Sequence, residues 1–241
     1  MSHLDDLLKQ ATNPVAYDNS DTEWAIENGK DSSRQDIYRE YFSPYKSEWS
    51  DKDVLDIGSG AGWLLNFFMQ NGAKSVLGVE PSRKNVEATK VLYPDIDVLN
   101  ENFMAINMDR KFDFITAVMV MTNLPDVKSA FKKFKTLMNN KAKLLVVVPD
   151  YDYFKTPRHD YGLDVEVINS KEYVIETKRP NAVLTDIVRM NEVYIEAAEL
   201  EGLMFIESIA MLPTTQFTEQ LPQYSGFKAQ PIMHLLRFTV E

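Results

Sequence analysis

One stretch limits what this chain can become more than any other: Val54-Leu55-Asp56-Ile57-Gly58-Ser59-Gly60-Ala61-Gly62-Trp63. An apolar segment of strand character runs into glycines at every second position, and an apolar segment of helical character follows. Glycine has no Cβ, so the turn can reach positive φ and let the backbone pass close beneath a ligand. The helix that follows directs its unpaired N–H groups at the same place, which suits a polar tail. A second acid, Glu80, ends the next strand pattern about 20 residues on, where a carboxylate can accept hydrogen bonds from ribose hydroxyls. The bend therefore points to a nucleoside-like ligand; a plain strand-to-helix connection is the alternative use of the same glycines.

The periodicity around this bend predicts repeated strand–helix units. Strand patterns fall at 54–57, 75–80, 97–99, 112–120 and 144–148. Helical patterns fall at 63–70, 81–91 and after the Leu124-Pro125-Asp126 stop. The runs 112–120 and 144–148 are almost continuously apolar, as parallel strands covered on both faces should be. After Pro149 the pattern changes. Residues 163–169 and 172–178 alternate around Asn169-Ser170 and predict a hairpin, with 183–188 available as a third strand. A helix over 191–201 ends at Gly202, and strands at 204–211 and 234–240 close the chain. Residues 1–50 are polar and irregular, with short helical patterns at 4–9, 23–28 and 34–42.

Over roughly residues 38–241 the chain resembles the class I S-adenosylmethionine-dependent methyltransferases. Their first motif reads acid-x-Gly-x-Gly-x-Gly, met here by Asp56, Gly58, Gly60 and Gly62. A nicotinamide-binding turn would read G-x-G-x-x-G, and Trp63 stands where its third glycine belongs. The resemblance implies an α/β fold: a Rossmann-like, seven-stranded, mostly parallel sheet with helices on both faces and one antiparallel strand. It further implies an N-terminal helical lid over 1–50 and a methyltransferase domain over 51–241, with a β-hairpin cap inserted at about 150–190. The implied cofactor is S-adenosyl-L-methionine, leaving as S-adenosyl-L-homocysteine. Its contacts are expected from Asp56, Gly58, Ser59, Gly60, Gly62, Trp63, Glu80, Pro81, Glu101, Asn102, Phe103 and Met119. Of these, Glu101 to Phe103 occupy the adenine position and the Met119 carbonyl suits the amino group.

The chain departs from the family pattern in two loops. Thr122 and Asn123 stand where one or two histidines commonly precede a Leu-Pro pair, and Asn139-Asn140-Lys141 replaces the usual Gly-Gly. Methyl transfer asks the protein mainly for alignment, with a base needed only for a nucleophile that holds its proton tightly. His159, Tyr17 and Tyr151 are the catalytic candidates; Tyr17 resembles the N-terminal tyrosine that covers the cofactor in small-molecule members. Tyr17, Asn123, Tyr153 and Arg189 are the substrate-binding candidates, Arg189 through an acidic group. No metal is expected, although Asp150, Asp152, Asp160 and Asp164 cluster near His159 in sequence.

Composition narrows the partners. With 26 basic against 36 acidic residues the net charge is −10, adverse to a nucleic-acid backbone and no help on anionic membranes. The absence of cysteine excludes disulfides, zinc thiolates and thiol catalysis. The opening residues lack a signal-peptide pattern, and no apolar run nears the ~20 residues that span a bilayer. A cytoplasmic enzyme acting on a small molecule is the expectation, with oligomeric state open. The alternatives are a non-catalytic binder of the same cofactor and a methyltransferase acting on RNA or protein.

Overall fold

The computed structural model describes residues 2–19, 22–157, 161–179 and 182–241. Four short helices come first: α1 (His3–Ala11), α2 (Thr22–Gly29), α3 (Asp36–Phe42) and α4 (Lys46–Trp49). The alternating part follows as β1 (Asp53–Ile57), α5 (Trp63–Gln70), β2 (Ser75–Val79), α6 (Arg83–Leu92), β3 (Val98–Leu99), β4 (Phe112–Val118), α7 (Val127–Leu137) and β5 (Met138–Pro149). Next come α8 (Tyr151–Phe154), β6 (Gly162–Asn169), β7 (Glu172–Arg179) and β8 (Ala182–Arg189). The chain ends with α9 (Asn191–Leu200), β9 (Met204–Met211), α10 (Thr215–Gln220) and β10 (Met233–Thr239).

Seven strands form one sheet in the order β3-β2-β1-β4-β5-β10-β9. Only β10 runs against its neighbours, pairing antiparallel with both β5 and β9. This is the seven-stranded, mostly parallel sheet that the family resemblance implied. Successive side chains feed two cores, as the period of a strand requires. Leu55 and Ile57 of β1 enter one core with Phe131, Phe134 and Leu236; Val54 enters the other with Trp49, Phe68 and Phe114.

Several boundaries moved for identifiable reasons. β4 stops at Val118 rather than 120, because Met119 takes φ +58° and turns the chain. β5 starts at Met138, not 144, with Asn139-Asn140-Lys141 inside the strand and a register shift against β4 between Phe112 and Phe114. α6 begins at Arg83 rather than 81, because the Ser82 hydroxyl accepts from the Asn85 N–H as its N-cap. α8 and α10 were not anticipated, although Asp150 and Thr214 cap their first turns. The expected hairpin gains β8 and becomes a separate three-stranded antiparallel sheet, β6-β7-β8. α1 packs on that sheet through Leu7 and Ala11 against Val174 and Ile187. No helix among the described residues is long and apolar enough to cross a membrane.

Candidate functional site

The parallel strands end along one edge of the sheet, and there a crevice of about 590 Å³ opens. Its floor is the turn after β1, Asp56 to Ala61; its walls are Glu80 and Pro81 after β2, Asn102 to Met104, and Met119 to Val120 with Asn123 to Pro125 after β4. Ligands in open α/β sheets bind at this edge. The N-terminal segment supplies the remaining wall, including Pro14, Trp24, Asn28, Gln35 and Tyr38.

The turn keeps its shape through glycine. Gly58 sits at φ +66°, and a Cβ there would lie 2.3 Å from Val120 Cγ2. Gly60 sits at φ +54° with nothing within 4 Å of its missing Cβ, so its bare face opens onto empty space. Gly62 stands at the N-terminus of α5 and offers no side-chain cap, which leaves the first amides of that helix to whatever fills the crevice. The Ser59 hydroxyl is buried without a hydrogen-bond partner. A buried hydroxyl left so is costly unless a ligand completes it.

Two acids sit beneath this surface. Glu80, 4% exposed, accepts from the Gly60 N–H at 2.8 Å, the Ser82 N–H at 2.9 Å and Asn85 Nδ2 at 3.3 Å. Burial raises its pKa, and these three donors offset that only in part. Asp56 accepts from Thr116 Oγ1 at 2.7 Å. Burial pushes its pKa up to about 7, against the Thr116 bond and with help from the Glu80 charge.

The N-terminal segment is tied to this frame by polar contacts. Asp18 Oδ1 accepts from Ser82 Oγ at 2.6 Å and from the Lys84 N–H at 3.3 Å. Trp63 Nε1 donates to Asp31 at 2.9 Å, and the Arg39 guanidinium lies 5.2 Å from the Trp63 ring while pairing with Asp31. The Tyr93 hydroxyl donates to the Gly29 carbonyl at 2.7 Å. Asn123 Nδ2 donates to the Ala11 carbonyl at 3.0 Å and the Thr185 carbonyl at 3.4 Å, joining the loop after β4 to α1 and β8 together.

Most of the expected cofactor residues meet here. Asp56, Gly58, Ser59, Gly60, Trp63, Glu80, Pro81, Asn102, Phe103 and Met119 all line the crevice, as does Asn123. Gly62 lies behind it, where a Cβ would strike Thr89 at 2.5 Å. Glu101 is exposed and outside the crevice, and Met104 takes the third place instead. The stretch of this loop that lines the crevice thus runs 102–104, one residue later than the expected 101–103. Trp24, Asn28, Gln35 and Tyr38 were missed; the aromatic rings at Trp24 and Tyr38, within the helical patterns 23–28 and 34–42, were the local signals.

Three other candidates lie elsewhere. Tyr153 is 1% exposed and packs in the core against Phe154, Tyr224 and Phe227. Tyr151 packs edge-on against Tyr173 with the Lys155 ammonium over its ring, away from the crevice. Arg189, 2% exposed, pairs with Glu172 at 2.7 Å and donates to the Met121 and Leu124 carbonyls, each at 2.9 Å. Its charge is spent inside the protein and cannot receive a substrate acid. Tyr17 falls in the short 3₁₀ turn Ala16–Asn19, its side chain outside the described structure, and His159 lies outside the described residues altogether. Of the acids near His159, Asp160 also lies outside the described residues and the others disperse: Asp150 caps α8 and meets His234 Nε2 at 2.9 Å, Asp152 pairs with Lys155, and Asp164 meets His3 at 2.9 Å.

Comparison with known proteins matches this geometry. A family model described as a methyltransferase domain matches residues 34–193. Protein arginine N-methyltransferase 8-B of Danio rerio is 25% identical over 212 residues, covering 76% of this chain and 49% of its own. The chain spans about half the length of the curated relatives it matches. A solved S-adenosylmethionine-dependent methyltransferase from Mesorhizobium loti is similar in fold, with TM-score 0.63 at 16% identity over 82% of this chain and 97% of that one. The glycopeptide N-methyltransferase MtfA, solved with S-adenosyl-L-homocysteine, has TM-score 0.63 at 13% identity, over 86% of this chain and 90% of that one.

Proposed function

This chain belongs to the methyltransferase-domain family, and from that premise we propose that it transfers a methyl group from S-adenosyl-L-methionine to a small-molecule acceptor. The observation that carries the reading is the bare face of Gly60, open above the Glu80 carboxylate at the mouth of the parallel strands.

The residues present fit that cofactor. Glu80 would hold the ribose hydroxyls, while Ser59 Oγ and the uncapped amides of α5 would hold the methionine end. Asn102, Phe103 and Met104 would flank the adenine, with Pro81 on the other side. Once bound, the cofactor supplies a methyl group already made electrophilic by the sulfonium. The protein then has to orient the acceptor and exclude water. Residues 1–50 act as the lid, with Trp24, Gln35 and Tyr38 covering the crevice, and the small sheet over 162–189 braces α1 from outside.

A second reading, transfer to a protein arginine, draws on the likeness to the Danio rerio enzyme. A guanidinium acceptor calls for a carboxylate facing it. Among the described residues, Asp56 and Glu80 are the only acids lining the crevice, and both are buried and engaged below it. A small acceptor is therefore favoured. Isothermal titration calorimetry should give micromolar binding of S-adenosyl-L-methionine, and extract incubated with methyl-labelled cofactor should yield a labelled low-mass product. Folded protein that binds no cofactor refutes the reading; label found only in protein favours the second.

A further inference from the structure

The crevice that would receive the acceptor carries no free charge. Among the described residues no Lys, Arg or His lines it. Its two acids are engaged by Thr116 and by the Gly60, Ser82 and Asn85 donors. An ionised acceptor would thus lose its water and gain no counter-charge from these side chains. The walls away from the glycine turn are flat and apolar: Trp24 and Tyr38 from one side, Pro14, Leu124 and Pro125 from others.

Asn123 adds direction. Both of its amide hydrogens are spent on the Ala11 and Thr185 carbonyls, which fixes the side chain and settles which atom is oxygen. Among the described residues no donor meets Asn123 Oδ1, and Asn123 lines the crevice. Among the described residues the crevice holds no free base, which favours a nucleophile that needs none. Tyr38 is held protonated by burial, its pKa pushed up to about 12, and His234 with Asp150 lies outside the crevice. An alcohol would need its proton removed as it attacks. A neutral nitrogen attacks with its own lone pair and becomes acidic only afterwards.

We propose that the acceptor is an uncharged, planar N–H compound, an aryl amine or nitrogen heterocycle, whose N–H is received by Asn123 Oδ1; this rests on the methyltransferase reading above. In the transfer the nitrogen pair forms the N–C bond, the C–S bond breaks with its pair going to sulfur, and the N–H proton leaves to water. The sheet edge sets the cofactor, and the charge-free wall around Asn123 sets the acceptor.

The test is a ligand-detected NMR titration on the full chain. Binding of S-adenosyl-L-homocysteine is measured first, and its absence removes the premise along with the proposal. With that compound saturating, aniline, 7-azaindole, 1-methyl-7-azaindole, benzoate and benzylammonium are compared at neutral pH. Aniline and 7-azaindole should bind at least tenfold more tightly than benzoate and benzylammonium. 7-Azaindole should bind about tenfold more tightly than its 1-methyl form, and Asn123→Ala, itself saturated with S-adenosyl-L-homocysteine, should erase that preference. A charged fragment that binds as well as the neutral ones overturns the proposal, as does a loaded protein that binds none of the neutral set. The wild-type comparison stands even where the Asn123 variant fails to fold.

Discussion

Glu80 Oε2 accepts a hydrogen bond from the backbone N–H of Gly60 at 2.8 Å, so the end of β2 holds the turn after β1 directly. The same carboxylate uses its other oxygen on Ser82 and Asn85 at the start of α6. One acid thus sets the spacing between the glycine floor and the wall where a ribose would lie. Burial of Glu80 is tolerated only because three donors meet it.

The first prediction concerns that pair. Gly60→Arg places a long side chain in the open space above the turn at a positive φ, and should lower cofactor affinity at least 100-fold in calorimetry. The unfolding midpoint should fall only a few degrees, because the space is empty and the strain of a left-handed residue is about 1 kcal/mol. Glu80→Gln keeps the shape and removes the charge. It should cost about tenfold or more in affinity, the range of a lost charge-assisted bond. Wild-type affinity in either variant would mean that the ligand lies elsewhere.

The second concerns pH. Burial holds the Asp56 pKa at about 7 in the folded state against an ordinary value of 3.8, so the folded state keeps a proton that the unfolded state has already lost. Stability is therefore greatest below the unfolded value and declines as pH rises from about 4 to about 7. Glu80 is shifted in the same direction. The cofactor-free protein should melt several degrees higher at pH 5.5 than at pH 8. Asp56→Asn, which still accepts from Thr116, should melt higher than wild type at pH 8 and show a flatter profile. An equal slope in wild type and variant would contradict it.

How much of this was legible in the chain depended on how local each signal was. α5 was read at its true ends, Trp63–Gln70, because glycines precede it and Gly72, at φ +98°, closes it. The sheet was legible because continuous apolar runs such as 144–148 leave no other place to be. Glu101 lies outside the crevice, one residue off the expected stretch, because a loop has no periodicity to fix its register. Arg189 and Tyr153 were misread for a different reason. Nothing next to Arg189 in sequence announces the Met121 and Leu124 carbonyls that consume it, and nothing near Tyr153 announces Tyr224 and Phe227. Trp24 and Gln35 were missed because their role exists only once the N-terminal segment folds back over the sheet edge.

Arg189 yields the third prediction. Its guanidinium ties β8 to the loop after β4 and is almost wholly buried. Arg189→Met strands the Glu172 carboxylate and two carbonyls, and should cost about 3–5 kcal/mol, the range for breaking a buried pair. Arg189→Lys should recover little, since an ammonium cannot span the same three partners in the plane of a fork. Chemical denaturation measures both. A variant with full stability and lost acceptor binding would restore the substrate role that the burial of Arg189 denies.

The last prediction separates holding the cofactor from admitting it. Asp18 reaches across from the N-terminal segment to the first turn of α6, accepting from Ser82 Oγ and the Lys84 N–H. A carboxylate at a helix N-terminus is favoured by the helix dipole as well as by its hydrogen bonds. Ser82 caps Asn85 by itself, so α6 survives the loss of Asp18. Asp18→Ala should therefore leave the unfolding midpoint within a few degrees while freeing the segment that covers the crevice. Amide hydrogen exchange over residues 12–30 should accelerate, and cofactor affinity should fall about fivefold to tenfold, mainly through faster dissociation. Asp18→Asn keeps an acceptor oxygen and loses the charge, and should fall between the two. Unchanged exchange over 12–30 would show that the segment is held without Asp18, by Tyr93 on the Gly29 carbonyl and by Ala25 packed on Ala61 and Ala88.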